Sequence, residues 1–204
     1  SGTINTILLV LRAVCRECCK LKSTDLIVKS GPHLVGPDDD VGGTRDGLRT
    51  LSDSLRTKMT CPWCKAPQPV YSKRARIFID AAYRPRDLDS DFVKARGPAY
   101  MTWLKARFMP DDAAAILHAL DEPTRVILGL DRPASLMTRL HIVPPPIIRP
   151  SNFVGETKVR SENDLTVALQ DVVRANLELR AAIDGPEAAY LTAYDKLQVM
   201  VAGI

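Results

Sequence analysis

The sequence predicts an α+β fold that is mainly helical, and three observations predict it. Two Cys-x-x-Cys pairs lie 42 residues apart. Three consecutive prolines, Pro144 to Pro146, interrupt a run of apolar residues. Residues 161–204 carry two apolar seams with steps of three and four, separated by Asp184-Gly185-Pro186. The first implies an irregular lobe stapled by a metal, the second an extended strap, and the third an antiparallel helical hairpin. The expected division is a zinc-binding lobe at 1–80, a basic helical lobe with the strap at 81–150, and the hairpin at 151–204.

The chain has 204 residues, enough for a sizeable core in one large domain or two small ones. Its formal charge of +4 permits contact with nucleic acid but falls short of a polycationic binder. Charge is unevenly spread. Residues 71–110 hold nine Lys/Arg against four Asp, whereas 161–204 hold seven acids and three bases. Within the basic stretch Lys73, Arg74 and Arg76 are the candidate phosphate-binding residues. The apolar stretch from Ile4 to Val14 is broken by Asn5, Thr6 and Arg12 and is too short to span a bilayer. It also has no charged start and small-residue cleavage site, so a soluble, intracellular protein with no membrane partner is expected.

Cys15, Cys18, Cys61 and Cys64 have the spacing of metal ligands. Each Cys-x-x-Cys turn aims two thiolates at one ion, and two such turns close the tetrahedral shell of a structural Zn2+ site. Lys20, Lys22 and Lys65 lie close by to moderate the thiolate charge. Cys19 is left over and reads as a small buried or half-exposed residue, with exchange for Cys18 as the alternative. Between the pairs, two Gly-Pro steps, Asp38-Asp39-Asp40 and Gly42-Gly43 make a surface loop. His33 sits in that loop and is surplus to a shell that four cysteines fill.

After the basic middle, Asp111 to Leu120 reads as an acid-started helix with Ile116, Leu117 and Leu120 on one face, and a second short helix follows Pro123. His118 belongs to that helix's surface or the core edge. From Leu140 to Ser151 the prolines lock an extended path, and the flanking Leu140, Ile142, Val143, Ile147 and Ile148 call for cover. A proline-rich ligand for an adaptor domain is the competing reading of this stretch. Last, Asn163 and its neighbours start a helix whose seam is Leu165, Leu169, Val172, Asn176, Leu179 and Ile183. Tyr190, Tyr194, Leu197, Val201 and Ile204 continue it on a returning helix.

Together these segments resemble the clamp of the largest subunit of multisubunit DNA-directed RNA polymerases of the eukaryotic, archaeal and large-DNA-virus type. The residues that carry the resemblance are Leu128-Gly129, Arg132-Pro133, Leu136-Met137, and Val143-Pro144-Pro145-Pro146 through Arg149-Pro150-Ser151. Asn163-Asp164-Leu165-Thr166 and Leu197-Gln198 extend it into the family's clamp coiled coil. Ala134-Ser135 departs from the family's Glu-Trp, and the long insert between the cysteine pairs suggests a fast-evolving polymerase, such as a viral one.

The resemblance implies a mobile jaw, with the cysteines as the second clamp zinc site. Its partners would be other polymerase subunits, DNA and the RNA–DNA hybrid, and initiation or elongation factors docked on the coiled coil at Asn176, Arg180 and Glu187. The parent enzyme would be a nucleotidyltransferase of the nucleus, or of a virion or host cytoplasm. Its catalytic Mg2+ loop is missing from these residues, so no catalytic residue is expected and the chain alone would not polymerise RNA. Two readings stand beside this one: a free-standing zinc-ribbon DNA-binding transcription factor, and a thiol enzyme pairing Cys15 or Cys61 with His33, His118 or His141.

Overall fold

A computed structural model describes residues 2–24, 43–75, 77–137, 140, 142–154 and 159–203. The chain divides into two compact units, Ser1–Thr138 and Arg139–Ile204. It is mainly helical, with two short two-stranded sheets. Among the described residues no helix is long and apolar enough to cross a membrane.

In the first unit α1 (Gly2–Ala13) is the central element. Its Ile7, Leu8, Val10 and Leu11, with Val14 beyond it, recur at helical spacing and are buried. Helix α2 (Gly43–Leu55) lays Leu48, Ser52 and Leu55 against it, again three and four residues apart. Strands β1 (Val70–Arg74) and β2 (Phe78–Ala82) then form an antiparallel hairpin, with Val70 opposite Ala82 and Arg74 opposite Phe78. Tyr71 is the buried residue of β1, and its ring meets Phe108 edge-on at 5.3 Å. Arg12 fastens the hairpin to α1 by donating from Nε and Nη2 to the Tyr71 carbonyl, at 3.2 and 3.0 Å.

A single turn, α3 (Pro85–Leu88), leads into α4 (Asp91–Lys105), which is kinked at Gly97-Pro98. Gly97 has φ of +82°, a conformation open to glycine at little cost, and Pro98 would clash with a continuous helix behind it. Helix α5 (Pro110–His118) buries Ala113, Ala114, Ile116 and Leu117, with Leu120 just past its end. Its first turn is closed by Asp112, whose carboxylate accepts from Met109 N at 2.8 Å. Helix α6 (Glu122–Leu128) starts on Asp121, which accepts from Thr124 N at 3.1 Å, and stops at Gly129 in the left-handed region. A 3-10 turn at Pro133–Leu136 packs against the same core.

In the second unit the strap carries a 3-10 turn at Pro146–Ile148 and leads to β3 (Asn152–Val154), antiparallel to β4 (Val159–Ser161). Arg149 ties it down, with Nε donating to Pro144 O at 3.0 Å and Nη1 to Thr166 Oγ1 at 3.3 Å. The cover expected over the strap is not supplied by the described residues: Leu140, Ile142, Ile147 and Ile148 are 84, 88, 85 and 65 % exposed. Helices α7 (Asp164–Ala182) and α8 (Glu187–Ala202) pack side by side beyond it. Asn163 caps α7 through Leu165 N at 3.0 Å, and Lys196 Nζ bridges back to both Glu178 carboxylate oxygens at 2.6 and 2.7 Å. Leu169 and Ala175 are the buried residues of α7.

Leu117 is fully buried in the first unit's core. Leu117→Ala leaves a cavity there and is expected to cost about 2–5 kcal/mol of folding free energy, measured by denaturant unfolding. A loss below about 1 kcal/mol would mean that this core is not packed around α5.

Candidate metal centre

Each Cys-x-x-Cys pair sits in a knuckle closed by its own backbone. In the first, Cys15 N donates to Lys20 O at 2.9 Å and Cys19 N to Cys15 O at 3.2 Å, with Val14 bridged to Leu21. The second repeats the pattern: Cys61 N to Ala66 O at 2.9 Å, Lys65 N to Cys61 O at 3.1 Å, and Thr60 bridged to Pro67. The residue after each second cysteine, Cys19 and Lys65, takes a left-handed φ of 57° and 62°. That conformation costs a non-glycine residue roughly 1–2 kcal/mol. Both knuckles are therefore held in shape by more than their own chain.

The two knuckles face one another. Cys15 Sγ lies 3.6 Å from Cys64 Sγ, Cys18 Sγ lies 3.6 Å from Cys61 Sγ, and all four sulfurs fall within 4.8 Å of each other. A tetrahedron of ~2.3 Å metal–sulfur bonds has edges of about 3.8 Å, so the sulfurs already stand at ligand spacing. The donor set is all thiol, and it leaves no position open for a substrate. Such a site can hold a metal ion in a structural role.

Two of the four thiols resist ionisation unaided. Burial pushes Cys15 well above the ordinary thiol range and Cys18 up to about 11. Burial works against Cys61 as well, but the N–H groups of Cys64 and Trp63 and the thiols of Cys18 and Cys15 outweigh it and hold Cys61 low. A divalent cation reverses this balance, because binding draws off the protons that burial retains.

Several side chains hold the knuckles in place. Gln68 is buried just past the second knuckle and reaches the first, its Nε2 donating to Cys15 Sγ at 3.2 Å while its Oε1 accepts from Arg16 N at 3.0 Å. Leu21 N donates to the buried Thr124 Oγ1 at 3.2 Å, and Trp63 Nε1 to Leu21 O at 2.8 Å. The Arg16 guanidinium lies over the Trp103 ring at 4.2 Å and donates to Tyr83 Oη at 3.3 Å. Glu17 accepts from Arg96 and Tyr100 on α4. Of the nearby lysines, Lys20 is exposed beside the Trp63 ring and Lys65 donates to Pro62 O, while Lys22 is buried. Burial brings Lys22 down to about 8 against the pull of Cys15 and Cys61.

Among these, Gln68, Arg16 and Glu17 were not legible as functional residues. The only signals were their positions inside or just behind a knuckle. Cys19 is buried, with its Sγ 3.8 Å from Glu17 O.

At least four of the nine basic residues of 71–110 meet a carboxylate among the described residues. Arg74 Nε meets Asp80 at 3.0 Å, Arg84 meets Asp87 at 2.6 Å, Lys94 meets Asp89 at 2.9 Å, and Arg96 meets Glu17. Lys73 differs, since its Nζ donates to the neutral Asn5 Oδ1 at 2.7 Å rather than meeting a carboxylate. Arg76 lies outside the described residues, as do His33 and His141, while His118 is exposed at the end of α5. In the second unit Asn176 is half-buried and Arg180 and Glu187 are exposed.

Cys61→Ser is expected to remove the bound metal and to cost at least about 3 kcal/mol, the low end of what tying a loop of this size is worth. Gln68→Ala should leave the cysteines in place yet weaken the metal roughly 10- to 100-fold, read by competition with a chromogenic chelator. Undiminished affinity would show that Gln68 is only a packing residue.

The family model described as RNA polymerase Rpb1, domain 1, matches residues 1–203. Among curated proteins, the DNA-directed RNA polymerase subunit Rpo1N of Thermococcus celer is 29% identical over 208 aligned positions, which take in 98% of this chain and 21% of that protein. The Rpo1N subunit of Methanocaldococcus jannaschii is 38% identical, over 90% of this chain and 13% of its own length. That of Thermoplasma acidophilum is 26% identical, over 98% and 21%. The chain thus spans about a fifth or less of the length of these relatives.

Proposed function

The chain belongs to the RNA polymerase Rpb1 domain 1 family, and on that premise we propose that it is part of the clamp of a DNA-directed RNA polymerase's largest subunit. In this role it closes over DNA and the RNA–DNA hybrid. The observation that carries the reading is a family match running from residue 1 to 203 through a chain whose four cysteines meet at ligand spacing. A free-standing zinc-ribbon factor would explain the cysteines but not a match that continues through the strap and both final helices. A thiol enzyme is disfavoured because Cys15 and Cys61 stand among four sulfurs, and a metal-bound thiolate is not a free nucleophile.

The ion is Zn2+ in this reading, since an all-thiolate tetrahedral shell suits a soft, redox-inert cation and is the shell of structural zinc. When bound it supplies no chemistry to a substrate. It fixes the two knuckles, and through Gln68 and Arg16 it fixes the neighbouring helices. Helices α7 and α8 form the coiled coil, where exposed Arg180 and Glu187, with Asn176 in the seam, meet initiation or elongation factors. Other polymerase subunits supply the cover that the exposed apolar strap residues need. Phosphate attraction comes from β1, and polymerisation itself belongs to the parent enzyme and its Mg2+.

The charge pairing on β1 sets the expected result. Lys73 meets a neutral amide and Arg74 a carboxylate, that of Asp80. Lys73→Gln should therefore lower affinity for an RNA–DNA hybrid and flatten the slope of log K against log salt by about 1, as one phosphate contact does. Arg74→Gln should change the slope by less, and loss of the Arg76 charge is tested in the same series. Fluorescence anisotropy across a salt range reads all three, and an unchanged slope in every variant would remove β1 from the nucleic-acid face.

A further inference from the structure

Four thiolates outweigh the charge of one divalent ion, so the loaded cysteine cluster is anionic. Cys18 and Cys64 are half-exposed, and water answers part of that charge, whereas Cys15 and Cys61 are fully buried. Those two receive N–H donors, from Glu17 and Gln68 at Cys15 and from Trp63 and Cys64 at Cys61. Such donors are dipoles and cancel no whole charge. An anionic cluster with half of its sulfurs cut off from solvent calls for a cation inside the fold.

Three lysines lie near the knuckles, and their surroundings differ. Lys20 is exposed over the Trp63 ring, and Lys65 is exposed with its Nζ turned to Pro62 O at 2.8 Å. Lys22 is 2% exposed. Its backbone N donates to Ala13 O at 3.0 Å, which fixes it at the exit of the first knuckle. It lines a cleft together with Met59 and Pro69, which flank the second knuckle. No carboxylate lines that cleft, and none among the described residues pairs with Lys22. The negative groups that draw on its ammonium are Cys15 and Cys61, the two buried members of the cluster.

The structure assigns Lys22 as the internal counter-cation of the tetrathiolate, a positioning residue whose charge sets how tightly the two knuckles hold a divalent metal. The assignment rests on the reading that the cluster binds such an ion, and it is independent of the clamp. Cysteines give up their protons to a metal, so the loaded cluster is the more negative form and the better match for a buried ammonium. In the empty chain the same ammonium has less counter-charge, and a poorly matched buried charge is costly. Lys22 therefore favours the loaded chain and works against the empty one. A residue that only fills space acts on both in one direction, which separates the two roles by experiment.

The test uses the full 204-residue chain, with Lys22→Met as the neutral variant of similar size and Lys20→Met as the exposed-lysine control. Zinc affinity is read by competition with a chromogenic chelator, and stability by thermal melts of the metal-free and loaded chains. The thiolates are read by the sulfur-to-cobalt charge-transfer band of the cobalt-substituted chain, which moves to longer wavelength when sulfur loses a neighbouring positive charge. Lys22→Met is expected to bind zinc roughly 10- to 100-fold more weakly, as loss of a supporting group around a metal does. It should also raise the melting temperature of the metal-free chain, since an apolar side chain replaces a buried charge there, and shift the cobalt band to longer wavelength. Lys20→Met should leave all three near the parent values. If the metal-free chain gives no cooperative melt, affinity and the cobalt band decide; if Lys22→Met does not fold when loaded, Lys22→Gln takes its place. Unchanged affinity, equal loss in both lysine variants, or lowered melts of both forms with the cobalt band unmoved would overturn the assignment. A parent chain that takes up no zinc would defeat the metal reading and the assignment with it.

Discussion

Everything in the first unit depends on four sulfurs brought within 4.8 Å of one another from two knuckles 42 residues apart. Closing a loop of that size costs roughly 3–5 kcal/mol in chain entropy. Each knuckle also holds a non-glycine residue in a left-handed turn. Clustering buried thiols adds to the cost, because burial raises Cys15 and Cys18 away from ionisation. A structural zinc ion in such a shell would supply about 10–16 kcal/mol, well above the cost of closing the loop. Absent a cation, no interaction among the described residues is of that size.

From the knuckles the constraint passes outward through named contacts. Gln68 joins the second knuckle to the first, Arg16 inserts its guanidinium against Trp103, and Glu17 takes hydrogen bonds from Arg96 and Tyr100. Thr124 receives Leu21 N, so α6 is registered against the same turn. The apolar core of α1, α2, α5 and α6 lies behind this framework. A metal held by these four sulfurs would thereby orient α4 and α6 through the named contacts.

The cysteine pairs were legible because ligand spacing is strict chemistry: two residues between thiols put both on one ion. Helices α5, α7 and α8 were legible from periodicity and from starts such as Asp111 and the residues around Asn163, whereas α6 was read only as a short helix after Pro123, and its Asp121 and Gly129 caps were found in the structure. Spacing alone did not reveal that Ala175 is fully buried in α7, or the exposure of Ile183 just past its end. Counting charges suggested a basic middle, nine Lys/Arg against four Asp over 71–110. Folding pairs much of that charge, as at Arg74 with Asp80 and Arg96 with Glu17, and a linear tally cannot see such pairs. Gln68 escaped notice because a hydrogen bond to a sulfur 53 residues away leaves no local pattern. The proline stretch was read as an extended, covered strap; it carries a 3-10 turn at Pro146–Ile148, and Leu140, Ile142, Ile147 and Ile148 are exposed.

X-ray absorption at the zinc edge of the purified, metal-replete chain addresses the tetrathiolate most directly. One zinc per chain with four sulfur neighbours at ~2.3 Å is the predicted result. A folded chain without metal, or a shell containing nitrogen or oxygen ligands, would contradict it.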